Sequence, residues 1–221
     1  DSIPIQIVFD QTVIVDTKGG TPSLALNSGG TAIYSSGSGT NTLIFSYTVG
    51  SGENSTDLDY SSSSSLSTNG GTIRDGGGID ASLTLPNPGT TGSLGFNKNI
   101  IIDTTAPTVT SVTSSSANGY YKTGQSIYIQ VTFSEIVAES GTPSLALNSG
   151  GTAYFTGGSA STTLSFTYTV ASGNTSADLD YANTSALVGT IRDGAGNDAN
   201  LALPTPGGAG SLGGSKNIVI Y

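Results

Sequence analysis

The residues able to do chemistry in this chain are few, and almost all are carboxylates. There is no His, Cys, Met or Trp, and Lys+Arg number 6 against 15 Asp+Glu. A catalytic Ser-His-Asp arrangement, a thiol nucleophile, a disulfide and zinc or haem ligation of the usual kind are therefore excluded. The acids recur at fixed turns: Asp57-Leu-Asp59 and Asp178-Leu-Asp180, then Asp75…Asp80 and Asp193…Asp198, with Asp103 between the two sets and Glu135 after a strand. Hard oxygen donors without imidazole or thiolate suit Ca²⁺, which takes six to eight oxygens in flexible geometry. Asp-Gly and Asn-Asp are also ordinary turn residues, so each acid has a plain structural reading beside the ionic one.

The elements that carry these acids are repeated. Thr21–Ala32 recurs letter for letter as Thr142–Ala153, Ile73-Arg-Asp-Gly returns at Ile191, Leu83-Thr-Leu-Pro as Leu201-Ala-Leu-Pro, and Lys98-Asn-Ile at Lys216. Asp1–Phe9 aligns with Gln125–Phe133, so copy one has no counterpart of Asp103 to Gly124. Two homologous domains follow, 1–102 and 103–221, with 103–107 as linker; copy one lacks the opening strand. The absence of Met and the offset ends read as a window cut from a longer tandem array.

Gly 32 and Pro 8 are too many breakers for a helical protein. Copy two instead alternates with period two. Strands are expected at Thr108–Thr113, Ile127–Phe133, Ser144–Leu147, Thr152–Phe155, Leu164–Val170, Thr190–Arg192 and Asn217–Ile220, the third and fourth joined by the turn Asn148-Ser-Gly-Gly151. The fold class is all-β: two antiparallel β-sandwiches of about seven strands each. An odd number of antiparallel strands brings the chain in at one pole and out at the other, which places the turn at Ser134-Glu135 and the turn at 193–198 together. By that parity Asp57, Asp59, Asp103, Glu135, Asp193 and Asp198 gather at the junction of the two domains, where they would repel without a cation.

The runs Phe133-Ser-Glu-Ile-Val, Gly141-Thr-Pro-Ser-Leu-Ala-Leu, Ala177-Asp-Leu-Asp-Tyr, Ile191-Arg-Asp-Gly-Ala-Gly-Asn-Asp and Ile102-Asp-Thr-Thr-Ala-Pro resemble the Ig-like tandem repeats of large bacterial cell-surface proteins and adhesins. The resemblance covers nearly the whole chain, twice. It implies secretion, an extracellular, cell-surface location and, in many members, cadherin-like calcium between domains. Copy one departs from the pattern at Asp10-Gln11, which stands for Ser-Glu, and at Ile79, which stands for Asn197.

The function expected is a structural or adhesive spacer of a surface stalk or filament, rigidified by calcium, with neighbouring repeats of the same protein as partners. The alternative is a carbohydrate- or surface-binding sandwich, which needs an exposed aromatic platform that a chain without Trp supplies poorly. An enzyme with paired carboxylates ranks below both, because the same acids repeat on turns of both copies. The net charge of −9 argues against nucleic acid. Apolar runs such as Ile100–Ile102, closed by Asp103, are far too short for membrane insertion.

Overall fold

A computed structural model describes residues 2–221. The chain divides into two compact units, Asp1–Thr105 and Ala106–Tyr221, each with its own apolar core. Among the described residues, no helix is long and apolar enough to cross a membrane.

The first unit holds β1 (Ser2–Asp16), β2 (Ser23–Ala25), β3 (Thr31–Ser36), β4 (Thr40–Thr48), β5 (Leu66–Ser67) and β6 (Thr72–Arg74), then a single helical turn, α1 (Leu94–Asn97). Its strands form one antiparallel sheet in the order β5-β2-β3-β4-β1-β6. Alternation makes the sheet: along β4, Leu43, Phe45 and Tyr47 point inward and are fully buried, while their neighbours stay more exposed. β1 pairs with β4 from Ser2↔Thr48 to Val8↔Thr42, shifts register before Val13, and ends against β6 with Val15 opposite Ile73.

The second unit holds β7 (Val109–Ser114), β8 (Gly119–Tyr121), β9 (Ser126–Ala146), β10 (Thr152–Gly157), β11 (Ser161–Thr169), β12 (Leu187–Arg192), the helical turn α2 (Leu212–Ser215) and β13 (Ile218–Ile220). β9 is the spine, pairing antiparallel with β7, β10, β11 and β12. Two expectations change here. The strands foreseen at Ile127–Phe133 and Ser144–Leu147 are one continuous β9, because a register shift beside Val137 and another opposite Gly189 let it bend without breaking its ladder. Ser134-Glu135 therefore lies within a strand, not at a turn. β8 was not foreseen, and it pairs in parallel with β13, so the strands are not all antiparallel.

The two units carry the same apolar row with one informative exception. Val15 opposite Ile73 in the first unit becomes Glu139 opposite Ile191 in the second. One Glu139 carboxylate oxygen is buried and has no hydrogen-bond partner. A buried acceptor left unmade costs more than an apolar group of similar reach. Glu139→Val is accordingly expected to stabilise the second unit by about 1–2 kcal/mol, read as a rise in the urea midpoint with an unchanged slope.

Candidate metal site

The loop after β12 is built around one carboxylate. In Asp193-Gly-Ala-Gly-Asn-Asp198, Asp193 Oδ1 accepts the N–H groups of Ala195 (2.8 Å), Gly196 (2.7 Å) and Asn197 (2.9 Å), and Oδ2 accepts Asn197 Nδ2 at 2.7 Å. The loop closes where Arg192 bridges to Asp198, whose Oδ1 takes the Arg192 Nε at 2.6 Å. Asp193 is 8% exposed. Burial pushes its pKa up, but the Asn197 amide and the three loop N–H groups outweigh that, and the net shift is downward. Asp193 is thus held as a carboxylate.

Glu135, half-buried on β9, meets this loop from the neighbouring strand. A carboxylate oxygen of Glu135 and one of Asp193 lie within 4.8 Å of each other. Two negative charges at that spacing favour a cation between them. Within the second unit, Glu135 and Asp193 have the donor chemistry to hold a metal ion, hard carboxylate oxygens in both cases.

The first unit repeats the loop but not the charge pair. Asp75 Oδ1 accepts the N–H groups of Gly77 (2.8 Å) and Ile79 (2.9 Å), and Arg74 Nε reaches Asp80 at 2.6 Å. At the Glu135 position stands Gln11, whose Nε2 approaches Asp75 Oδ2 at 3.5 Å. A neutral amide facing an acid answers part of its charge directly and leaves less for a cation to do.

The remaining sequence candidates sit elsewhere within their units. Asp59 is 4% exposed. Its Oδ1 accepts from Tyr60 N–H (2.9 Å) and Leu94 N–H (3.2 Å), and its Oδ2 from Gly89 N–H (3.0 Å). Burial raises its pKa, and the donors from Gly89, Ser93, Tyr60 and Gly95 overcome that to lower it. Asp57, exposed, faces the same turn: a Cβ on Gly95 would meet Asp59 Oδ2 at 3.0 Å and Asp57 Oδ2 at 3.2 Å. Asp180 repeats the role, accepting from Tyr181 (2.9 Å) and Gly207 (2.8 Å), with Gly213 against Asp180 and Asp178. The Asp-Leu-Asp-Tyr motif thus ties the loop before each helical turn to its sheet. Asp198 is engaged by Arg192. Asp103 Oδ1 accepts Thr105 N–H at 3.0 Å, while Thr104 is fastened to the 52–54 loop through Gly52, Glu53 and Asn54.

Reasoning from the sequence missed this loop-tying role of Asp59 and Asp180. The available signal was their place between two apolar residues, Leu and Tyr, that must both face inward. Set against protein-family models, curated proteins and solved structures, the chain matches none of them.

Proposed function

We propose that this chain is a pair of Ig-like structural repeats from an extracellular bacterial stalk or filament, non-catalytic, and stiffened by Ca²⁺ at the linker. What carries the reading is the approach of Glu135 to Asp193, in a unit whose counterpart has Gln11 in place of the glutamate. Asp103 is the third ligand: it stands three residues ahead of Ala106, within covalent reach of the second unit's first strand. An ion shared by a linker carboxylate and two acids of the second unit removes hinge freedom, and that mechanical role is what a spacer requires. The duplicated sequence, the scarcity of basic residues and the chain-wide likeness to surface repeats support the same reading.

Sites of this kind in extracellular modules bind at roughly 10⁻⁴ to 10⁻³ M. Calcium at about a hundred times Kd is then expected to stabilise the second unit by about 2.7 kcal/mol, and Glu135→Gln to remove most of that gain. Thermal melts with calcium and with EDTA measure the first effect. Small-angle scattering under the same two conditions measures the hinge. Melts and scattering curves unchanged by calcium would overturn the proposal. The carbohydrate-binding alternative has less behind it: the exposed pair Tyr120 and Tyr221 meets edge to face, with centroids 6.0 Å apart and an interplanar angle of 80°, which offers no flat platform.

A further inference from the structure

The segment that joins the two units is short, and nearly every residue in it is already held by one unit or the other. On the first unit's side, Ile102 is buried and bridges antiparallel to Ser55, the two exchanging both main-chain hydrogen bonds at 2.8 Å. Thr104 N–H then donates to Asn54 Oδ1 at 2.8 Å. The Thr104 hydroxyl donates to the Glu53 carbonyl at 3.2 Å and accepts the Gly52 N–H at 3.0 Å. The Thr105 hydroxyl reaches the same Asn54 Oδ1 at 3.3 Å, and its N–H donates to Asp103 Oδ1 at 3.0 Å. The loop that receives them is itself anchored in the core. Glu53 Oε2 accepts the hydroxyl of the fully buried Tyr47 and the Gly50 N–H, each at 2.7 Å.

On the second unit's side the hold begins at once. Pro107 is buried, and its carbonyl accepts Asn200 N–H at 2.8 Å. Thr108 N–H donates to Ser134 Oγ at 3.0 Å, and the Thr108 carbonyl accepts Ser134 N–H at 2.8 Å. Between the two sets stands Ala106, exposed, and among the described residues nothing hydrogen-bonds to it. Its own conformational range is narrow. Proline fixes its φ at about −65° and pushes the residue before it out of the helical region into extended backbone.

We propose that the connection is a one-residue hinge at Ala106, restricted by Pro107, and that Asn54 is the side chain that keeps the hinge to one residue. The inference stands apart from calcium: the hydrogen bonds that fasten the linker use no ion, and a metal would act only on the dihedral angles left at Ala106. Each linker residue released from its unit adds about 3.5 Å of slack, so a spacer keeps its direction best when the fewest are loose.

Asn54 is also where the two copies part. The main chain repeats, with Thr175 N–H donating to the Ser149 carbonyl as Asn54 N–H donates to that of Ser28, both at 3.3 Å. Threonine at that place brings no amide oxygen. In the first unit the one Asn54 oxygen takes both the Thr104 N–H and the Thr105 hydroxyl. Its loss leaves Thr104 held through its own hydroxyl alone, and Thr104→Val removes that hold as well.

The test is nitrogen-15 relaxation on the whole labelled chain in EDTA, which separates the result from any effect of calcium. Order parameters at Thr104, Thr105 and Thr108 are expected near those of the strands, about 0.85, with a lower value at Ala106 alone. The double variant Asn54→Ala, Thr104→Val is expected to drop Thr104 and Thr105 below about 0.6 while β4 and β11 keep the parent values. Low values throughout 103–108 in the parent would overturn the one-residue hinge. A double variant as ordered at Thr104 and Thr105 as the parent would overturn the role of Asn54. A chain that shows the expected values yet no response to calcium would refute the calcium reading and leave the hinge standing.

Discussion

Asp59→Ala is expected to cost the first unit about 4 kcal/mol and to be the most damaging change at any acid of that unit. The carboxylate receives the N–H groups of Tyr60, Gly89 and Leu94. Alanine accepts none of them. Each buried donor left unmade costs about 1–3 kcal/mol, partly recovered where the loop opens to water. The Gly89 and Leu94 bonds span thirty or more residues and close the 86–94 loop over the core. Losing them detaches that loop, and with it Tyr60, whose hydroxyl donates to the Pro86 carbonyl at 2.7 Å. Asp57→Ala, two residues away on an exposed side chain, is expected to fall within about 0.5 kcal/mol of the parent. Amide exchange along β1 and β4, compared with β9 and β11, reads the first unit separately. Near-equal exchange in the two variants would refute the loop-tying role of Asp59.

How much of this was legible beforehand differs from residue to residue. The inward row Leu43, Phe45, Tyr47 and its repeat Leu164, Phe166, Tyr168 could be read directly, because a half-buried pleat imposes period two whatever it packs against. The continuity of β9 could not. Gly141-Thr-Pro143 carries the letters of a turn, and only pairing with β12 across a register shift keeps it in a strand. β8 is three residues held by β13, and nothing local in Gly119-Tyr-Tyr121 announces a partner about a hundred residues away. The acids show the same limit. Composition identified carboxylates as the ligand chemistry the chain has, while strand parity grouped six acids from a turn at Ser134-Glu135 that is in fact the middle of β9. Composition could not separate an acid that caps its own loop, as Asp59 does, from one that faces a second acid on the neighbouring strand, as Asp193 does while also capping its own. That distinction depends on how many N–H groups point at each oxygen, and hydrogen-bond geometry has no one-letter code.

Gly151→Ala is expected to destabilise the second unit by about 3 kcal/mol, and its neighbour Gly150→Ala by only about 1 kcal/mol. In sequence the two glycines are one turn signal, Asn148-Ser-Gly-Gly151. In the structure they are glycine for different reasons. Gly150 has φ +83° and open space around it, with only the Asn174 amide at 3.7 Å from an added Cβ; alanine there strains the backbone and nothing more. Gly151 has no such φ, yet an added Cβ would lie 2.3 Å from Tyr168 Cε2 and 2.9 Å from Cζ. The ring cannot step aside cheaply. Tyr168 is 1% exposed, and its hydroxyl is fixed between Ser149 Oγ at 3.0 Å and Asn174 Oδ1 at 2.9 Å. Any rotation that admits the methyl group breaks those bonds or presses the ring into the buried core it belongs to. The first unit repeats the arrangement with Gly30 against Tyr47 Cε2 at 2.5 Å and a glutamate, Glu53, in place of Asn174, so Gly30→Ala should match Gly151→Ala in size. Urea unfolding of the four proteins, with exchange protection to locate each loss, decides it. Equal losses for Gly150→Ala and Gly151→Ala would mean that backbone strain, and not the tyrosine ring, sets the requirement.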